Sequence, residues 1–247
     1  MAIKTTFNYS PNFKPKKRRI KKIKFIIFHY TGMKKESGAI NKLTDIQSEV
    51  SCHYLIKNNG EIITMVPVSY TAWHAGKSSW KRCKSLNKNS IGIEITNPGH
   101  DFKYKKFTKK QIISLLKLSK ILIKKYKINS KNILGHSDIA PERKKDPGEK
   151  FPWKYLSQNR VGLWHTIKKQ ELIKNRTIKT TKIEKEFFFN NLFKIGYSKK
   201  IPKGLNKDSY LRNVTKAFQR RFRQELVNYK IDQECLLISK NILKKYN

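Results

Sequence analysis

Acidic residues are scarce in this chain. Only 17 Asp and Glu stand against 56 Lys and Arg over 247 residues, a net charge of +39. Cysteine is scarcer still: Cys52, Cys83 and Cys235 are odd in number, and no two are closely spaced. That pattern excludes a disulfide framework and a paired-cysteine zinc site, and fits a reducing compartment or indifference to redox state. No run of about 18 apolar residues occurs, so no membrane span is expected. The apolar stretch that follows the basic segment 14–24, Phe25 to Phe28, is too short for a signal-peptide core. The expected location is the cytoplasm if the chain stands as given, and the cell envelope or periplasm if an export signal belongs to it beyond these residues.

A cation of this size is drawn to any polyanion. Lysine, however, far outnumbers arginine and is spread over the whole chain beside many Ile and Asn, which reads as compositional bias. Nucleic acid is therefore not the expected partner, and no motif interleaving aromatic and basic residues supports it. The 38% apolar and 11% aromatic content suffices for a packed core. The length allows one domain of ordinary size and a small second one.

Residues 1–21 are polar and basic and read as an extended arm. Segment 22–31 reads as a strand whose continuous apolar run (Phe25, Ile26, Ile27, Phe28) implies cover on both faces. Apolar residues at helical spacing predict a helix over 38–50. Asn59-Gly60 between 53–57 and 61–66 is a hairpin signal, and 90–96 is a further strand. Segment 108–127 is the clearest helix, with Thr108 and Gln111 forming a capping box. A short strand over 132–135 then delivers His136. The expected fold class is α/β, a mixed central β-sheet flanked by helices on both faces and followed by a small three-helix domain. The domain reading is a catalytic unit over 22–167, a linker over 168–185 and a helical unit over 186–247.

Three scattered segments can be read as one metal site: Phe28-His29-Tyr30-Thr31, Gly135-His136-Ser137-Asp138 and Lys144-Lys145-Asp146-Pro147-Gly148. Two imidazoles and a carboxylate give a tetrahedral Zn²⁺ three protein ligands and leave the fourth position to water, the mark of a catalytic rather than a structural zinc. Spacing alone does not select these histidines from the six present (His29, His53, His74, His100, His136, His165). Glu94 lies between Ile93 and Ile95, so strand alternation turns its side chain away from theirs. The same alternation separates Cys52 from His53, which leaves Cys52 as a core residue rather than a nucleophile.

Several segments, in order and spacing, resemble the zinc-dependent N-acetylmuramoyl-L-alanine amidases (amidase type 2), a superfamily that includes the peptidoglycan recognition proteins. They are IIFHYT at 26–31, SCHYLIKNNGEI at 51–62, AWHAG at 72–76, SIGIEITNPG at 90–99, GHSDIAPERKKDPG at 135–148 and FPW at 151–153. The opening Asn8-Tyr9-Ser10-Pro11-Asn12 and the ending Gly162-Leu163-Trp164 resemble the family's AmiD-like branch. The resemblance implies that His29, His136 and Asp146 ligate Zn²⁺. It implies that Glu94 is the general base that later protonates the leaving amine, and that Lys144 stabilises the oxyanion. It implies peptidoglycan or anhydro-muropeptides as partners, with the bond between N-acetylmuramic acid and L-alanine cleaved. Trp73, His74 and Asn97 are expected to contact substrate. A catalytically silent recognition protein of the same fold is the alternative; such relatives lose the third ligand or the base, whereas both are present here. The segment around Ala217-Phe218-Gln219-Arg220 resembles a small peptidoglycan-binding module. Its usual Asp-Gly loop is replaced by 228–232, so a structural role is an equal expectation.

Overall fold

A computed structural model describes residues 4–246. The N-terminal segment supplies β1 (Thr6–Phe7) and β2 (Phe13–Lys14) and leads into β3 (Phe25–Tyr30). Helix α1 (Glu36–Thr44), the hairpin β4 (Tyr54–Ile56) and β5 (Ile62–Thr64), and the short strands β6 (Thr71–Ala72), β7 (Ser79–Trp80) and β8 (Cys83–Lys84) follow. Next come β9 (Ser90–Ile95), α2 (Lys109–Tyr126), β10 (Ile133–Gly135), the one-turn α3 (His136–Ile139) and α4 (Trp153–Gln158). The chain closes with α5 (Lys169–Asn175), α6 (Lys182–Ile195), α7 (Lys207–Phe222) and α8 (Gln233–Tyr246).

The main sheet has the order β1-β5-β4-β9-β3-β10, parallel except where β4 and β5 pair as a hairpin. Because successive side chains of a strand point to opposite faces, the unbroken run of β3 serves two cores at once. Ile26 and Phe28 join Ile91, Ile93 and Ile133 beneath α2 and α4. Phe25 and Ile27 join Leu134 on the other face, beneath the C-terminal helices. The mixed sheet flanked by helices is thus the expected one. Thr108 and Gln111 form the expected capping box at the start of α2.

Helix α1 stops at Thr44, short of the 38–50 expected, and two further stretches differ from expectation. The N-terminal arm is extended but not free: β1 pairs with β5 and β2 with β6. Asn12 is buried and donates to the carbonyls of Asp45 and Val50, while Arg18 donates to those of Val68 and Ser90. Its polar composition hid these anchors, since each is a side-chain bond to distant backbone. Residues 1–3 of the arm lie outside the described residues. Within 168–185, read as linker, α5 forms and α6 starts at Lys182, where Thr181 and Glu184 make a second capping box.

The three long C-terminal helices share one core with the sheet: Phe188, Leu192, Val214, Phe218 and Ile238 pack in the same cluster as Phe25, Ile27 and Leu134. A buried polar bond ties the two parts. Arg221 of α7, 1% exposed, donates to Asp138 Oδ2 at 2.6 Å and to the Ile133 carbonyl at 2.9 Å. Asp138 also accepts from the Tyr197 hydroxyl (2.8 Å) and the Gly135 amide (2.8 Å). Removing one partner of such a pair leaves the other charge buried without compensation. Arg221→Ala is therefore expected to cost about 3–5 kcal/mol of unfolding free energy, read from urea denaturation. An unchanged midpoint would contradict the bracing role of Arg221.

Candidate active site

The strand register assembles the site. His29 pairs with Glu94 across β3 and β9, and Phe28 pairs with Gly135 across β3 and β10. His136, one residue beyond Gly135, therefore arrives beside His29 at the carboxyl ends of parallel strands, where α/β sheets present their functional groups. The chain then runs out and returns, with the Ser137 amide donating to the Asp146 carbonyl at 2.9 Å. Gly135 permits that return: a Cβ there would stand 2.7 Å from Pro147 Cδ.

His29 Nδ1, His136 Nδ1 and Asp146 Oδ2 form a triangle with sides of 2.9, 3.0 and 3.1 Å. All three residues are buried, and they make up a group suited to a metal ion. Ligand bonds of about 2.0–2.1 Å in tetrahedral geometry put ligand atoms roughly 3.3 Å apart, so the triangle fits a small divalent cation. The surroundings of His29 and Asp146 favour the lone-pair forms of their ligand atoms. Burial, reinforced by His136, lowers His29 to about 4, so its ring is neutral near pH 7. Burial works to raise Asp146, but His136 and His29 beside it prevail and hold its carboxyl well below the usual range.

Glu94 faces the same space. Its Oε1 lies 4.0 Å from His29 Nδ1, and its Oε2 is buried with no hydrogen-bond partner among the described residues. Burial and then the nearby Asp146 raise its carboxyl to about 8, against the opposing pull of Lys144. A divalent cation in the triangle would add to that pull. Glu94 is thus not the outward-facing strand residue that alternation alone also allows.

A cavity of about 480 Å³ opens over these groups, with Lys144, Trp73 and Lys42 in its wall. Its neighbours Arg143 and Lys145 are tied elsewhere, Arg143 to the carbonyls of Ala75 and Lys77 and Lys145 to Asp101. The Lys144 ammonium makes no hydrogen bond or ion pair with other described residues and is the one of the three left free to meet a ligand. Trp73 lies at the wall as expected. His74 also reaches the wall, and its ring packs behind His29 with Nδ1 3.0 Å from His29 Nε2. Asn97 differs from expectation, because its side chain is buried and spent on backbone, accepting from the Gly99 amide and donating to the Lys105 carbonyl. Cys52 packs with Leu43, Leu55 and Met65, as expected of a core thiol. Lys42 was not foreseen; one lysine among so many carries no signal until the fold places it over the cavity.

Three buried ligand atoms with an open face, a carboxylate and an ammonium define the centre of a metal-dependent hydrolase. The chain belongs to the N-acetylmuramoyl-L-alanine amidase family, whose pattern matches residues 19–149. It is 36% identical to the N-acetylmuramoyl-L-alanine amidase AmiD of Escherichia coli, over 91% of this chain and 84% of that protein. It is 42% identical to the 1,6-anhydro-N-acetylmuramyl-L-alanine amidase AmpD of Haemophilus influenzae, over 45% of this chain and 59% of that protein. Its fold matches the E. coli AmiD complex with anhydro-N-acetylmuramic acid-L-Ala-D-gamma-Glu-L-Lys, with a TM-score of 0.78 and 35% identity, covering 91% of this chain and 90% of that one. It matches AmpDh3 of Pseudomonas aeruginosa in complex with anhydromuramic pentapeptide equally, at 0.78 and 30% identity, covering 94% of each chain.

Removing a ligand should cost at least the roughly 10–100-fold in metal affinity that loss of an outer-shell partner costs. Asp146→Ala and His136→Ala proteins are expected to lose the bound divalent ion on dialysis while the wild type keeps about one per chain, as counted by elemental analysis. Full metal content in either variant would sink the ligand assignment.

Proposed function

We propose that the protein hydrolyses the amide joining the lactyl group of N-acetylmuramic acid to L-alanine, with Zn²⁺ as its metal ion. The observation that carries this reading is Glu94, whose Oε2 has no hydrogen-bond partner among the described residues and whose side chain lines the same cavity as His136, Asp146 and Lys144. Nitrogen and carboxylate donors in a three-ligand set suit zinc. An amide resists hydrolysis because its carbonyl is a poor electrophile and water a poor nucleophile. A zinc ion supplies Lewis-acid chemistry against both, activating water near neutral pH and polarising the carbonyl.

The chain's own groups do the rest. His29, His136 and Asp146 would hold the ion, their side chains buried and fixed by the surrounding packing. Glu94 accepts the proton of the attacking water and returns it to the amine that leaves. Lys144, unpaired in the wall, faces the negative charge that develops on the carbonyl oxygen. The presence of Asp146 and Glu94 together speaks for turnover rather than silent recognition.

Soluble anhydro-muropeptides are the substrate class we favour over polymeric wall. The two relatives of matching fold hold anhydromuramic peptides in their complexes. Lys42 and Lys144 would complement the carboxylates that such stem peptides carry.

The test is digestion of an anhydro-muropeptide, with free stem peptide measured by chromatography. A chelator should abolish release and added Zn²⁺ restore it. Glu94→Gln should lower kcat by about 10²–10⁴-fold, the usual worth of a general base. Lys144→Ala should lower it by about 10²–10³-fold, as loss of an oxyanion donor does. A zinc-loaded Glu94→Gln protein that turns over like the wild type would overturn the assignment of the base.

A further inference from the structure

We propose that His74 is a positioning residue that sets the tautomer of His29, and that the consecutive residues His74 and Ala75 together support both histidines of the metal centre. The proposal rests on the metal-centre reading above. It follows from a hydrogen-bond chain with only one possible direction. The chain begins at Ser90, whose hydroxyl lies 2.6 Å from the Leu86 carbonyl and donates its single proton there. The 3.0 Å contact between Ser90 Oγ and His74 Nε2 can then exist only if His74 Nε2 carries the hydrogen and Ser90 accepts it. A neutral imidazole has one N–H, so His74 Nδ1 holds a lone pair. That lone pair, 3.0 Å from His29 Nε2, accepts the His29 Nε2–H. His29 Nδ1 is left bare, aimed at His136 Nδ1 and Asp146 Oδ2.

The next residue does the same for the second ligand. The Ala75 carbonyl lies 3.2 Å from His136 Nε2 and accepts its N–H, which frees His136 Nδ1. The two acceptors are held by one clamp: the amides of His74 and Ala75 both donate to Asn87 Oδ1, at 3.1 and 2.7 Å. The His74 ring also needs its slot over β9. A Cβ on Gly92 would stand 2.3 Å from His74 Cγ, so the side-chain-free position on the Glu94 pleat is where the ring lies. Outer partners of this kind fix the ring orientation and basicity of a metal-ligating histidine.

The experiment reads zinc affinity by competition with a chromophoric chelator, on proteins whose fold is checked by circular dichroism. His74→Ala, which removes the acceptor, is expected to weaken zinc binding by about 10–100-fold. His74→Asn keeps an acceptor oxygen near the place of Nδ1 and is expected to recover most of the loss. Nitrogen-15 NMR of the zinc-free wild type gives a reading that depends on no variant: His29 should be protonated at Nε2 and bare at Nδ1. Wild-type affinity in His74→Ala, no recovery in His74→Asn, or a His29 protonated at Nδ1 would each overturn the proposal. A wild type that binds no zinc would instead sink the metal-centre reading, which keeps the two failures apart.

Discussion

The pairing of β3 between two parallel neighbours is the constraint on which this molecule turns. A parallel register gives every residue of one strand a fixed neighbour on the next, and here it sets His29 against Glu94 and Phe28 against Gly135. A slip of one residue would turn His29 and Glu94 toward the apolar layer beneath α2 and bring Phe28 and Ile93 to the site. The burial of Ile26, Phe28, Ile91 and Ile93 on that layer opposes the slip. The hydrophobic pattern of two strands therefore fixes the distance between a ligand and a base without any contact between them being needed.

The same alternation gives β9 two characters. Its isoleucines fill one core, while Ser90, Gly92 and Glu94 line the other face in a row. Ser90 ends the hydrogen-bond chain behind His29, Gly92 makes room for the His74 ring, and Glu94 faces the cavity. Support, clearance and chemistry lie on successive positions of one pleat. The buried Asp138–Arg221 pair acts similarly on the third side, holding the turn that begins with His136 against α7. The C-terminal helices are thereby part of the frame that aims a metal ligand, whatever else their surface binds.

Much of this frame was legible in the residues. The apolar run 25–28, the Asn59-Gly60 turn and the Thr108/Gln111 box are local signals, and each element formed where its signal stood. The family motifs singled out His136, Asp146, Glu94 and Lys144, which line one cavity, and His29, whose ligand atom groups with those of His136 and Asp146. Less legible were the segments whose partners lie far off in sequence. The basic arm reads as solvated until Asn12 and Arg18 reach backbone carbonyls more than thirty residues away. Residues 168–185 read as linker because lysines and threonines mask α5 and the Thr181/Glu184 capping box. His74 and Asn97 sit in motif words but spend their side chains on the protein itself.

By itself, then, the sequence determined the elements and the chemical inventory. Local propensity and periodicity depend on near neighbours, and motif words report residue types. It also determined which face of β9 carries Glu94, since alternation follows from the pleat alone. Only the tertiary structure decided which of six histidines face a common point, which of three adjacent cations stays unpaired, and which nitrogen of each ligand histidine is bare. Those outcomes depend on distances of about 3 Å between residues brought together by strand register and by a returning loop. No local pattern encodes such a distance.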